Sequence, residues 1–410
     1  MDAHTITLGL APELIALRRE LHQHPEVGLH LPQTQARVLQ ELADLGLEIT
    51  TGTALSSVTA VLRGTSPLRP ATDAPAVLLR ADMDGLSVHE DNDLSYRSKF
   101  DGKMHACGHD LHTTMLIGAA KVLAAHRDEL AGDVVLMFQP GEELHDGAAV
   151  MVKEGVLEAA GRRVDAAFAM HVFSDRRELG TFSSRPGTIM SAADTLNVRV
   201  VGRGGHSSAP YRAVDPVTIA AEMIVALQNF VTRRFDVFDP VIIGVGAIAG
   251  GDMAAPNAIP ESVRFSASVR SWSAESQEKW QAGVRTLLAG IAAGHQASVE
   301  VDVVEGYPAT ITDHNETAFV AQTAAKLFGA SRYVNMANPL SCSEDFSRVL
   351  AEVPGSFVVL SAGDIADGDE TPPDNHSPRV LFDDSVLPDG AALYAQLAFD
   401  RLAQLAEHRP

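Results

Sequence analysis

Three short apolar runs, at 76–80, 134–138 and 166–170, leave this chain few folds to choose from. Each is too short for a helix and is carried by apolar side chains, as suits a strand covered on both faces of a mostly parallel sheet. Each also ends in polar chemistry. The first runs into Arg80-Ala-Asp-Met-Asp84, the second into Gln139-Pro-Gly-Glu142-Glu143, and the third into His171. Ligands bind beyond the carboxyl ends of such strands, so the three tails are expected to meet at one edge of the sheet. Amphipathic helices at 11–25, 34–45 and 110–127 supply the cover. Leu14, Ile15, Leu17 and Leu21 line the first, and Val38, Leu39, Leu42 and Leu45 the second. His22 and His24 fall at the end of the first helix, where a helix-terminal role is favoured over catalysis.

From about residue 189 the pattern changes. A half-buried alternation at 195–201, a loop through Gly202–Pro210 that holds His206, a helix at 215–232, strands at 241–247 and 262–270 and a helix at 277–294 make a two-layer α+β unit. Segments 316–328, 357–360 and 388–406 go back to helices and buried strands like those before residue 189, and the same stretch of chain carries His376. The expectation is an α/β catalytic domain, mostly parallel and helix-covered, in two parts, 1–188 and 305–410. An inserted α+β domain would occupy 189–304. A chain of 410 residues is long for a single core and comfortable for two.

Residues 104–112, Met-His-Ala-Cys-Gly-His-Asp-Leu-His, crowd a thiol, a carboxylate and three imidazoles into nine positions. Those are the donors that hold zinc or a similar borderline divalent ion, and Cys107 and His109 could reach one ion across Gly108. The plainer alternative is a small buried cysteine with histidines flanking a helix. Two cysteines in the whole chain make no disulfide framework, so a reduced compartment is expected. No secretory leader is visible at the start and no apolar run is long enough to span a bilayer, which points to the cytoplasm. With 53 acidic against 32 basic residues the formal net charge is −21, which argues against nucleic acid or an anionic membrane as partner.

Five segments, Met104–Asp110, Gln139–Glu143, Gly204–Ser208, Ser343–Phe346 and Asn375–Ser377, resemble in order and spacing the metal-dependent aminoacylase/carboxypeptidase family. The nearest branch is that of N-acyl-L-amino-acid amidohydrolases, with hippurate and indole-acetyl-amino-acid hydrolases. The resemblance implies that Cys107, His109, Glu143, His171 and His376 hold two divalent ions (zinc, manganese, cobalt or nickel). It implies that Glu142 is the general acid/base for a metal-activated water that splits the amide of a small N-acyl amino acid. It further implies that the inserted domain is a lid or dimerisation domain, that His206 stabilises the oxyanion, often in a partner subunit, that Asn257 and Arg270 bind substrate, and that the chain is a homodimer or higher homo-oligomer. Asp84 is read as an orienting residue behind the metal, while Asp82, His105 and His112 stay unassigned. Where the family has a glycine-rich stretch after the paired glutamates, this chain has Leu144-His145-Asp146, which bears on pocket shape.

Two other chemistries fit less well. A serine hydrolase wants Gly-x-Ser-x-Gly, and Gly205-His-Ser-Ser-Ala209 lacks the last glycine. A thiol hydrolase built on Cys107 and His109 would leave the glutamate pair idle. A non-catalytic binding or regulatory protein on the same fold is the alternative outside enzymology. Glu142 argues against it, because binding alone needs no proton-transfer carboxylate.

Overall fold

A computed structural model describes residues 2–174, 177–363 and 373–408. The chain divides into two compact units, one formed by 1–189, 311–338 and 345–410, the other by 190–310 and 339–344.

The first unit is built on an eight-stranded sheet. Its first five strands are β1 (Glu48–Thr51), β2 (Val58–Arg63), β3 (Ala76–Asp82), β4 (Asp133–Gln139) and β5 (Ala166–Phe173). The order is β1, β2, β4, β3, β5, then Gly355–Ser361, Phe182–Ser184 and Tyr333–Asn335. The three apolar runs are therefore neighbours: β4, β3, β5 and Gly355–Ser361 are mutually parallel, while β1, β2 and Phe182–Ser184 bring in antiparallel pairings. All four central strands are buried along essentially their whole length, which is why their sequences are continuous rather than alternating. Asp82 pairs with Gln139 at the carboxyl ends of β3 and β4, so the polar tails leave the sheet on the same edge.

Helices α1 (Ala3–Gln23), α2 (Pro32–Leu42) and α3 (His109–Ala125) form where amphipathic spacing predicts them, although α1 begins well before residue 11 and carries Pro12 inside. Asp2 caps α1 through the amides of His4 and Thr5. The core holds Leu14, Leu17 and Leu21 of α1, Met115 and Leu116 of α3, and Leu393 and Leu397 of the last helix, Leu387–Glu407. No helix among the described residues is long and apolar enough to cross a membrane.

The second unit is a four-stranded antiparallel sheet in the order Val241–Ala249, Ser262–Ser271, Ala192–Val201, Ser298–Glu305. Helices Pro216–Arg234 and Ala274–Gly294 pack Ile219, Met223, Leu227, Trp280, Val284 and Leu288 on its inner face, against Leu196, Val198, Phe265 and Val269. The fourth strand is not among the elements expected from hydropathy. It is an edge strand whose valines alternate with exposed Glu300 and Asp302, so it lacks the unbroken apolar signal.

Candidate metal centre

The site grows from the ends of the parallel strands and the loop before α3. Gly108 takes a left-handed backbone (φ 84°) at the N-terminus of α3, and a Cβ there would stand 2.3 Å from the Val172 side chain. Only glycine lets the chain turn there, and the turn puts Cys107 on the loop and His109 on the first turn of α3. His376 joins them from far along the sequence: its amide donates to the Ala106 carbonyl at 2.8 Å, with its own φ at 70°.

Five donors gather. Cys107 Sγ lies 3.4 Å from His171 Nε2 and 3.1 Å from His376 Nε2, and His376 Nε2 lies 3.2 Å from Glu143 Oε1. Cys107, His109 and His171 form one group of potential ligand atoms within 4.8 Å of one another, and Cys107, Glu143 and His376 form another. Cys107 belongs to both. The thiol is only 7% exposed, whereas the His376 side chain is 51% exposed and opens the cluster to solvent.

The residues fit a pair of cations on their own chemistry. Both ring nitrogens of His109 and Glu143 Oε1 are buried and make no well-formed hydrogen bond; the ion-pair contacts of Nδ1 with Asp84 at 3.4 Å and of Oε1 with His376 at 3.2 Å stay within the cluster, an arrangement that is costly unless a cation is bound there. His171 donates from Nδ1 to the Val172 carbonyl at 2.7 Å, which leaves Nε2 with its lone pair toward the cluster. Burial, then the charges of Glu143, Glu142 and Asp82, push the Cys107 thiol well above its ordinary range, a bias that a cation reverses by stabilising thiolate. Burial opposes charge on His109, yet Asp82, Asp84 and Glu143 together hold its pKa up at about 10. A negative cradle with a buried sulfur, three imidazoles and a carboxylate suits borderline divalent ions.

The glutamate pair is set by Asp84. Its two carboxylate oxygens accept from the Glu142 amide at 3.1 Å and the Glu143 amide at 3.0 Å, while His109 Nδ1 stands 3.4 Å from Oδ1. After Glu143 the chain passes through two left-handed residues, Leu144 (φ 67°) and Asp146 (φ 52°); the conformation costs about 1–2 kcal/mol for a leucine, while aspartate visits it more readily. Arg348 holds Asp146 through both of its oxygens at 2.7–3.2 Å.

Asp82, His105 and His112, left without roles by the sequence, fall into distinct surroundings. Asp82, the last residue of β3, accepts from His112 Nδ1 at 2.6 Å and Arg80 Nη1 at 2.7 Å. His112 Nε2 accepts from the Val172 amide at 2.8 Å. Both nitrogens of His112 are thus committed to protein, and its ring stacks on His109 and meets His171 edge-on. His105 is buried with neither nitrogen bonded, and burial drives its pKa down to about 3. Of the helix-end histidines, His24 caps α1 against the Glu20 carbonyl, whereas His22 sits in a buried network with Asp110, Glu90 and Arg18.

Two features are not legible in the sequence. Arg80, fully buried, reaches Asp345 at 3.0 Å, and Asp345 also accepts from Gln139 and the Ala148 amide, so one carboxylate ties β3, β4 and the helix Gly147–Lys153 together. The motif Ser343–Phe346 is the available signal, but it attaches no role to Asp345. The ion network of Arg18 and Asp110 is the other. In the second unit, His206 on the short strand Gly205–His206 pairs with Ala258, beside Asn257, whose carbonyl accepts from Ser207. His206 Nδ1 bonds Ser208 at 2.9 Å, and Arg270 donates to Ser343 at 3.1 Å.

Residues 78–400 match the peptidase family M20/M25/M40. The chain is 36% identical over 396 residues to IAA-amino acid hydrolase ILR1-like 4 of Arabidopsis thaliana, covering 96% of this chain and 86% of that one. It is 34% identical over 389 residues to thermostable carboxypeptidase 1 of Saccharolobus solfataricus, covering 94% of each. Among solved structures, the Bacillus subtilis YXEP protein, a dinuclear metal-binding peptidase, superposes with a TM-score of 0.80 at 28% identity, covering 96% of this chain and 99% of that one.

Proposed function

Because this chain belongs to peptidase family M20/M25/M40 and is an enzyme of metal-dependent amide hydrolysis, we propose that its substrates are N-acyl-L-amino acids, cleaved to a carboxylic acid and a free amino acid. The observation that carries this reading is the glutamate pair. Asp84 fixes both amides, Glu143 lies beside Cys107 and His376, and the buried Glu142 carboxylate falls within 4.8 Å of Glu143 and His109, where a proton can pass to it.

Cys107, His109, Glu143, His171 and His376 hold two divalent ions in this reading. Their sulfur, nitrogen and oxygen set admits zinc, manganese, cobalt or nickel. Bound there, the pair supplies Lewis acidity that acidifies water and polarises the scissile carbonyl. Glu142 takes a proton from the attacking water as the new C–O bond forms, then delivers it to the nitrogen as the C–N bond breaks. His206 is assigned to the oxyanion, and Asn257 and Arg270 to the substrate's carbonyl and carboxylate, roles that suit an imidazole and a guanidinium. A homodimer is part of the same proposal.

The test is chelation followed by reconstitution against a panel of N-acetyl, N-benzoyl, N-indole-acetyl and longer N-acyl amino acids, with dipeptides alongside. Turnover of acyl amino acids lost on chelation and restored by metal is expected. Turnover confined to dipeptides would move the chain toward the carboxypeptidase relatives, and none at all would favour the binding-protein alternative.

A further inference from the structure

Leu144 is an apolar side chain in an unfavourable place twice over. Its backbone lies in the left-handed region that favours glycine, and its side chain is 88% exposed, so neither local geometry nor burial recompenses it. It follows Glu143 directly, which fixes its Cα within about 4 Å of that of Glu143, whose carboxylate faces Cys107 and His376.

Nor is the turn loose. Asp84 grips the amides of Glu142 and Glu143 on one side of Leu144, and the two-oxygen pairing of Asp146 with Arg348 grips the other. His145 is taken up beside Gly28 and Gly141. Leucine is held out to solvent by neighbours that are each fixed. Strain retained beside reacting groups, with no packing reason for it, is a mark of ligand contact.

We infer that Leu144 is a specificity-determining residue, an apolar wall against which the acyl chain of the substrate lies. The inference rests on the reading of the chain as an N-acyl-amino-acid hydrolase and narrows it to acyl groups with apolar surface beyond acetyl. An acyl chain seated there removes from water the leucine surface that folding leaves exposed.

The experiment compares kcat/KM for N-hexanoyl-L-alanine and N-acetyl-L-alanine in the metal-loaded wild type, L144G and L144N, since glycine and asparagine both tolerate the left-handed backbone. The hexanoyl-to-acetyl ratio is expected to fall about tenfold in both variants, the scale of one lost hydrophobic contact in a specificity pocket. Metal content should stay at the wild-type level, and L144G should melt no lower than wild type. An unchanged ratio in both variants overturns the inference while leaving the hydrolase reading intact. If the wild type hydrolyses neither substrate nor any other acyl amino acid or dipeptide of the panel, the hydrolase reading fails. Calorimetric binding of hexanoate against acetate then decides the wall by itself, with a preference lost in L144G supporting it and an equal preference in both proteins overturning it.

Discussion

Asp84 Oδ2 accepts the amide of Glu143 at 3.0 Å, so the orientation of a glutamate at the start of one loop is set by a carboxylate just past the end of a different strand. D84N replaces one acceptor oxygen with an amine that opposes a backbone N–H. Metal affinity should drop about 10–100-fold, the usual cost of losing a partner that orients a ligand. Competition with a chromogenic chelator reads it, and an affinity equal to wild type would show that Glu143 keeps its pose unaided.

Glu142 contributes a proton acceptor rather than a structural charge in the proposed reaction. E142Q is isosteric, and should keep the metal content of wild type while lowering kcat by about 100- to 10,000-fold. Elemental analysis and steady-state kinetics on one preparation separate the two effects. Full turnover in E142Q removes Glu142 from the chemistry.

His112 has no exposed surface, and both its nitrogens are bonded, to Asp82 and to the Val172 amide. H112A leaves a buried carboxylate short of one donor and a backbone N–H unsatisfied, at a cost of about 2–4 kcal/mol. Denaturant unfolding of the two proteins in chelator measures this without the metal. A loss under about 0.5 kcal/mol, the range of an ordinary surface substitution, would mean the bonds are dispensable.

His22 predicts a pH signature. Burial disfavours its charged form, but Asp110 and Glu90 outweigh burial and the repulsion of nearby Arg18, so its pKa is raised in the folded protein. Tyr96 and His105 complete its surroundings. A histidine with a raised folded pKa contributes stability in full below its unfolded value, about 6.5, and loses it as pH rises through the folded value. Glu90, whose pKa is lowered by His22 against the effect of burial, contributes above about 4.3 and loses its share as pH falls. The unfolding free energy of wild type minus that of H22A should therefore shrink from pH 6 toward pH 9. A difference constant over that range would show His22 neutral when folded.

Much of this arrangement can be read from residue order. Continuous runs such as 76–80 and 134–138 declare burial on both faces, and polar residues directly after them announce a shared edge. What hydropathy does not encode is strand order and backbone sign. That β3 lies between β4 and β5 depends on pairings such as Ala76 with Asp133 and Val77 with Ala166, and the contact of Arg80 with Asp345 joins residues 265 positions apart. That Leu144 and Asp146 adopt glycine-like angles is invisible in their side chains, because neighbouring hydrogen bonds impose it. Pro339–Glu344 runs with the second unit though no change of pattern marks it. His22 sits where helix ends commonly carry histidine, and only the fold brings Asp110 and Glu90 to it.

The sulfur of Cys107 is common to both donor groups. Two ions held by such a set would have one hostage between them: an oxidant or alkylating agent that takes that single atom deprives each of a ligand in the same event. Damage to the exposed Cys342 would touch neither group, so that double loss belongs to the buried Cys107 sulfur and not to thiol damage in general.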